Sequence, residues 1–207
     1  MRHAVGHIAV ILILSLLAAA QDDAPKPIVS NNPLTAEQIA VYRAVLEDYT
    51  NGSGGALNVA DRTELLDRSG FGVDEDCFKS IQAQPTKDSV LIIHKLDRSL
   101  ALDKRFSLVG PGHQQDKIKE NDPQKLIKSA IDNHQKVADK QVNESVKRAF
   151  ETGLFTLSEI LFDKQQRHAL VAYSFVCGGL CGNGNLLALT RFGKKWKVTK
   201  KCGGWVS

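Results

Sequence analysis

The chain has 207 residues, of which 27 are Lys or Arg and 23 are Asp or Glu, giving a formal net charge of +4. This length favours one domain with a sizeable core, and a second domain is not expected. No fixed-period repeat and no long low-complexity tract is present in the sequence, which argues against a solenoid or a disordered chain.

The first twenty residues have the pattern of a secretory signal peptide. Arg2 is their only formal charge, residues 8–17 are apolar, and three alanines end at Ala20. We expect cleavage before Gln21 and no stable membrane span afterwards, because the apolar core is shorter than the roughly 20 residues that a spanning helix needs. A retained anchor is the alternative. The sequence therefore predicts a secreted or periplasmic protein.

The segment 21–33 is rich in Pro and Asp and is expected to be a flexible lead-in to a single domain over residues 34–207. A first helix should begin at Thr35, which forms a capping-box pattern with Gln38. Apolar residues at helical spacing give this helix one core-facing stripe, and it should end at the glycine-rich stretch after Asn51.

The middle of the chain gives weaker signals. Alternation near Leu57 predicts a short strand, and the apolar run within Ser89–Leu96 predicts a strand buried on both faces. Residues 97–121 are expected to be an irregular connection broken at Gly110-Pro111-Gly112.

A long amphipathic helical segment should follow. Asp122 and Pro123 form a helix start and Gly153 a helix end, with a break expected near Asn133 because one continuous helix would be longer than a small domain is wide. One side of this segment is apolar and is expected to face the core. Its members include Leu126, Ile127, Ala130, Ile131, Val142, Val146, Ala149 and Phe150.

The last quarter of the chain predicts a four-stranded antiparallel meander. The expected strands are Phe155–Phe162, His168–Cys177, Asn185–Phe192 and Lys195–Cys202. Their connections are too short for parallel crossovers, and the one from Cys177 to Gly184 contains four glycines. The fold class predicted from these elements is α+β, with helices packed on a mostly antiparallel sheet.

The fourth strand alternates between apolar and basic side chains. Trp196, Val198 and Cys202 are expected on a buried face, Lys195, Lys197 and Lys201 on the other, and Lys200 is an exception on the apolar side. The basic run from Arg191 to Lys201 could bind phosphate or an anionic polysaccharide, or could be a solvated face that discourages edge pairing. With only two Trp in the chain, no base-stacking platform and no nucleic-acid partner are indicated.

Four cysteines in an exported chain predict disulfides, for which three pairings are possible. Three residues with two glycines separate Cys177 from Cys181, so this pair can reach bridging distance and leaves Cys77 for Cys202. The alternative for Cys177 and Cys181 is a thiol redox pair, although such motifs typically have two intervening residues.

The end of the chain resembles functionally uncharacterised secreted bacterial proteins. The matching pattern is Leu157-Ser158, Phe162-Asp163, Ala169-Leu170-Val171, Cys177-Gly178-Gly179-Leu180-Cys181-Gly182, Gly184, Trp196-Lys197-Val198 and Trp205-Val206-Ser207. The resemblance covers roughly the last quarter of the chain. It implies a secreted bacterial protein and supplies no catalytic residue.

Two functional hypotheses remain open. The first is a non-enzymatic extracytoplasmic binding or accessory domain for an unknown ligand or protein, because loops held by rigid strands often carry recognition. Its candidate binding residues are Gly179, Asn183, Asn185 and Trp205. The alternative is a hydrolase with a dispersed Ser158, His168 and Asp97 site. No metal or cofactor site is indicated, because no histidine pairs closely with another ligand residue.

Overall fold

A computed structural model describes residues 27–51, 56–67, 77, 91–100 and 102–207. The signal-peptide pattern lies outside these residues. The described helices are α1 (Ala36–Thr50), α2 (Pro111–Glu120), α3 (Pro123–Asp132) and α4 (Asp139–Thr152), with a 3-10 turn at Arg98–Leu100. The strands are β1 (Ile28–Ser30), β2 (Leu57–Ala60), β3 (Ile92–His94), β4 (Phe106–Val109), β5 (Leu154–Leu157), β6 (Leu161–Phe162), β7 (His168–Gly178), β8 (Cys181–Phe192) and β9 (Lys195–Val206).

The main sheet has the strand order β4-β2-β5-β7-β8-β9, and β6 also pairs with β7. Strands β2, β4 and β5 are parallel, whereas every pairing from β5 to β9 is antiparallel. The predicted α+β class, the mostly antiparallel sheet and the carboxyl-terminal run of strands are confirmed. The parallel half was not predicted, because its strands are short and their partners lie far apart in the sequence.

Helix α1 covers one face of the sheet, which we call the α1 face. Its buried residues Val41, Tyr42 and Leu46 share a hydrophobic core with Phe155 and Leu187 of the sheet. The helix begins as predicted: the Gln38 amide donates to the Thr35 hydroxyl at 3.2 Å, and the Thr35 amide donates to the Gln38 side chain at 2.8 Å. Both ends of the capping box are therefore satisfied.

The opposite face, which we call the α2 face, is smaller. Ile118 of α2 packs there with Ala60 and Leu154, and a second cluster contains Leu170 and Leu186 beside the Cys77–Cys202 disulfide. Both predicted disulfides, Cys77–Cys202 and Cys177–Cys181, are formed.

Several predicted boundaries were wrong. The strand expected over Phe155–Phe162 is divided into β5 and β6, because the chain turns away from β7 near Ser158, whose hydroxyl takes over the bond to the Ala172 amide. The glycine-rich stretch is mostly strand: β8 begins at Cys181, and only Gly179-Leu180 form the turn.

The amino-terminal half also differs from the prediction. Strand β1 lies in the segment expected to be flexible, because its backbone pairs in parallel with β3. Strand β3 is shorter than expected, and Ile92 is 41% exposed because β3 belongs to a separate two-stranded sheet. Residues 97–121 contain β4 and α2, and Gly110, expected to be a breaker, is the residue before Pro111 at the start of α2.

The alternation predicted for the fourth strand was wrong beyond Val198. Thr199 is an extra residue between the pairs Leu189–Val198 and Ala188–Lys200, and a second shift occurs at Cys202. Such a bulge moves later side chains to the opposite face. Lys201 consequently leaves the face of Lys195, and Cys202 packs on the α2 face, whereas Trp196 packs on the α1 face.

Candidate functional site

A cleft of about 530 Å³ lies at the tip of the β7–β8 hairpin, between the strands and helices α3 and α4. We call it the tip cleft. It is lined by Asp122, Pro123, Gln124, Ile127, Val146, Phe150, Phe175, Cys177, Leu180, Cys181, Gly182, Asn183, Val206 and Ser207. Most of these residues are apolar, and the polar side chains among them are those of Asp122, Gln124, Asn183 and Ser207. Ligand pockets commonly have this composition and volumes of about 300 to 1,000 Å³.

The carboxylate of Asp122 joins α3 to the hairpin. Its Oδ1 accepts a hydrogen bond from the Gln124 amide at 3.0 Å, which caps the helix, and its Oδ2 accepts one from the Gly179 amide at 3.1 Å. A Cβ at Gly178 would lie 2.8 Å from the same carboxylate, and Gly178 has a φ of +154°. A glycine at this position therefore permits the close approach of strand and helix.

The Cys177–Cys181 disulfide bridges the hairpin beside its turn. The two Cα atoms are 5.1 Å apart, Cys177 is fully buried, and Cys181 is partly exposed. Both residues line the tip cleft. The disulfide therefore forms part of the apolar wall of the cleft and restrains the ends of β7 and β8 next to the turn.

An aromatic row forms the deep wall of the cleft and continues into the core. The rings of Phe150 and Phe175 are stacked with centroids 5.9 Å apart, and Phe175 is followed by Tyr49 at 6.2 Å. Gly153 contributes to this arrangement, because a Cβ there would collide with the Phe175 ring. Phe175 is only 3% exposed, whereas Phe150 is about half exposed, so Phe150 is the accessible ring of the row and Phe175 supports it from the core.

Two asparagines of β8 pair with tyrosines on the α1 face. Burial raises the pKa of Tyr49 above its ordinary value of 10.0, and a hydrogen bond with Asn183 opposes part of this change. The Asn185 amide donates to the Tyr173 hydroxyl at 2.8 Å, and burial likewise raises the pKa of Tyr173. Both tyrosines are therefore neutral at physiological pH and add no charge beside the two asparagines.

The predicted binding residues do not form one surface. Asn183 lines the tip cleft, Gly179 lies at its edge through the bond with Asp122, and Asn185 is held by Tyr173. Trp205 lies on the opposite face of the hairpin, over Gly182 and Gly184. A Cβ at Gly182 would lie 3.1 Å from its indole, and a Cβ at Gly184 would collide with the indole. Trp205 therefore covers the α2 face of the hairpin, which its pairing with Gly184 requires.

Sequence reasoning missed the helical wall of the cleft. Ile127, Val146 and Phe150 belong to the apolar stripe that was expected to face the core, but Ile127 and Phe150 are about half exposed. Exposed apolar residues cluster around the cleft. They are Ile127, Val146, Phe150, Leu180 and Val206.

The residues of the alternative hydrolase site have separate hydrogen-bond partners. The Ser158 hydroxyl donates to the Glu159 carbonyl and accepts from the Ala172 amide, both at 2.8 Å. Nδ1 of His168 lies 3.3 Å from the Thr190 hydroxyl, and the Asp97 carboxylate accepts from the Ser99 amide. No contact among these three side chains occurs in the described structure, so they do not form a nucleophile–base–acid arrangement.

A different histidine lies next to an acid. Nδ1 of His94 is 3.0 Å from both carboxylate oxygens of Glu159, and the Thr63 hydroxyl donates to the same carboxylate and accepts from the His94 amide. Thr63 is 1% exposed. Because the hydroxyl is buried and its bonds are made within the protein, this cluster joins β3 to the end of β2 and to the β5–β6 connection.

Comparisons with known proteins give no relative: no family model, no curated protein and no solved structure matches the chain. Among the described residues, no helix is long and apolar enough to cross a membrane. The same residues contain no cluster of three or more His, Cys, Asp or Glu that could hold a metal ion. The geometry of the tip cleft is therefore the main basis for a functional assignment.

Proposed function

We propose that the protein is an extracytoplasmic, non-enzymatic binding domain that takes the apolar chain of a small amphiphile into the tip cleft. The observation that carries the proposal is the apolar wall of the cleft, in which Ile127, Phe150 and Leu180 expose hydrocarbon surface. Placing an apolar chain against this wall removes hydrocarbon surface from water, which favours binding by about 25 cal/mol per Å².

Export is supported by two features. The signal-peptide pattern ends at Ala20, and all four cysteines of the chain form two disulfides, which persist mainly in oxidising compartments. Expression with its own leader should yield a mature protein that begins at Gln21. A cytoplasmic protein that retains Met1 would contradict this part of the proposal.

An extended peptide fits the cleft less well than a hydrocarbon chain. A buried peptide needs partners for each of its backbone amides and carbonyls. The polar lining is sparse, and the Asp122 carboxylate already accepts hydrogen bonds from the Gln124 and Gly179 amides. A hydrocarbon chain leaves no polar group unpaired.

The cleft is tested with an uncharged fluorescent dye, N-phenyl-1-naphthylamine, titrated into the purified protein. We expect saturable binding at one site that Val146→Trp weakens at least tenfold, because the larger side chain fills the cleft from α4. Lys147→Trp places the same ring on the neighbouring, 77% exposed position outside the lining and should leave the Kd unchanged.

The proposal would be overturned by non-saturable binding to the wild-type protein, or by equal Kd values for Val146→Trp and wild type. Circular dichroism of both variants checks that each remains folded.

A further inference from the structure

A second groove continues the tip cleft along α3. It has a volume of about 490 Å³ and is lined by Asp122, Gln124, Lys125, Ile127, Lys128, Ile131 and Leu180. Four of these residues also line the tip cleft. Gln124, Ile127, Lys128 and Ile131 follow one another at helical spacing and present one side of α3 to the groove. The two spaces therefore form one channel with a deep apolar part and a shallow part that carries lysines.

The lysines of the groove are not neutralised by neighbouring acids. Lys125 and Lys128 form no salt bridge with any residue in the described ranges, whereas Lys140 and Lys147 of α4 pair with Glu144 and Glu151. Asp122, the one acid in the groove lining, forms no salt bridge with either lysine, and its oxygens accept bonds from the Gln124 and Gly179 amides. The shallow end of the channel thus offers two lysines that form no ion pair with a described residue, against the single carboxylate of Asp122.

We propose that the channel binds an anionic single-chain amphiphile, with the hydrocarbon chain in the tip cleft and the head group at Lys125 and Lys128. The inference rests on the proposed function and adds the charge of the ligand. An ammonium group pairs well with a carboxylate, sulfate or phosphate. The channel is apolar near Phe175 and Ile127 and basic at the two lysines. An apolar chain joined to an anionic head group matches this order.

A bilayer surface is a weaker fit to the same residues. Exposed apolar and basic side chains also occur on proteins that lie on membranes. The tip cleft, however, is a concave space of about 530 Å³ between the hairpin and helices α3 and α4. A flat interface covers only its rim, whereas a single chain can enter it and contact the exposed side chains of Ile127, Phe150 and Leu180.

The test compares three amphiphiles with a twelve-carbon chain, each below its micelle concentration: dodecanoate, dodecyl maltoside and dodecyltrimethylammonium. Displacement of the bound dye gives their Kd values. We expect dodecanoate to bind about tenfold more tightly than the cation, which corresponds to about 1.4 kcal/mol. The difference should decrease with added salt, because the lysines are at the surface.

Two double variants locate the effect. Lys125→Gln with Lys128→Gln should reduce the preference for dodecanoate over the cation to less than about threefold, which is a difference below about 0.7 kcal/mol. Lys195→Gln with Lys197→Gln removes the same charge from β9 and should retain the full preference. Both pairs are exposed, so neither replacement disturbs the core.

Three results would overturn the inference. If the wild-type protein binds all three amphiphiles equally, the head-group preference is wrong while binding in the cleft stands. If no amphiphile displaces the dye and no dye binds, the proposed function fails as well. If the protein sediments with phosphatidylglycerol vesicles but binds no monomeric dodecanoate, the apolar surface is a membrane contact instead.

Discussion

At the scale of single residues, Ser158 shows how a serine that looks reactive in a sequence can be part of the backbone hydrogen-bond network. It is 5% exposed, and its hydroxyl replaces a ladder bond by accepting from the Ala172 amide. The Tyr42 hydroxyl donates to the backbone carbonyl of Ser158 at 3.2 Å. Ser158 therefore uses both its hydroxyl and its backbone carbonyl to connect the end of β5 with β7 and α1.

We expect Ser158→Ala to lower the free energy of unfolding by about 1 to 3 kcal/mol, because the Ala172 amide loses its buried acceptor. Urea denaturation measures the change. Ser107→Ala on β4 is the matched control, since Ser107 is exposed, and it should alter stability by less than about 0.5 kcal/mol. Labelling of Ser158 in the folded wild-type protein by a fluorophosphonate probe would contradict this structural role.

What the sequence can predict at this scale depends on distance along the chain. The capping box of Thr35 and Gln38 is separated by three residues, so its signature is visible in the sequence. His94 and Glu159 are 65 residues apart, and no local pattern joins them. For the same reason, the sequence could place Asn183 at the hairpin but could not predict the contact between Phe150 and Phe175. That contact depends on how α4 crosses the sheet.

At the scale of elements, helix α3 has two tasks at its first turn. Asp122 caps the helix and holds the hairpin turn through the Gly179 amide. Thr35 caps α1 by the same kind of bond but is not among the residues that line the tip cleft. The two caps can therefore be compared as a matched pair.

We expect Asp122→Ala and Thr35→Ala each to lower the free energy of unfolding by about 1 kcal/mol, which is typical for loss of a helix cap. Only Asp122→Ala should weaken dye binding, because it releases α3 from the hairpin and widens the cleft. Thermal denaturation and the dye titration measure the two effects. An unchanged Kd for Asp122→Ala would show that the cap does not position the cleft walls.

Elements whose ends carry clear local sequence signals, such as helix caps or turn glycines, could be predicted from the sequence. The break between α3 and α4 and the two-residue turn before β9 follow from helix length and from Gly193. Strands β2 and β4 have four residues each, which is too few for a clear period, so their parallel pairing was missed. The bulge at Thr199 was hidden because the next residue, Lys200, is polar as well.

At the scale of the whole molecule, the two disulfides constrain very different lengths of chain. Cys77–Cys202 has a sequence separation of 125, whereas Cys177–Cys181 has a separation of 4. The loop-entropy relation gives a stabilisation of about 5 kcal/mol for the first and about 2 kcal/mol for the second. The longer bridge should therefore stabilise the domain, and the shorter one should mainly shape the hairpin tip.

We expect replacement of Cys77 and Cys202 by Ser to lower the free energy of unfolding by roughly 3 kcal/mol more than replacement of Cys177 and Cys181, measured in guanidinium chloride. The second replacement should have the larger effect on dye binding, since both of its cysteines line the cleft. The opposite order of stabilities would show that native-state packing around the short bridge outweighs its loop length.

The strand order has a consequence for how the chain reaches its native state. β7 pairs with β8, and β8 with β9, across turns of a few residues, whereas Asn58 of β2 pairs with Leu154 of β5. Strands that are adjacent in the sequence pair much faster than strands separated by many residues. We therefore expect the strands from β7 onward, which are synthesised last, to pair early, and a nascent chain that stops before β7 lacks the strand that pairs with β5.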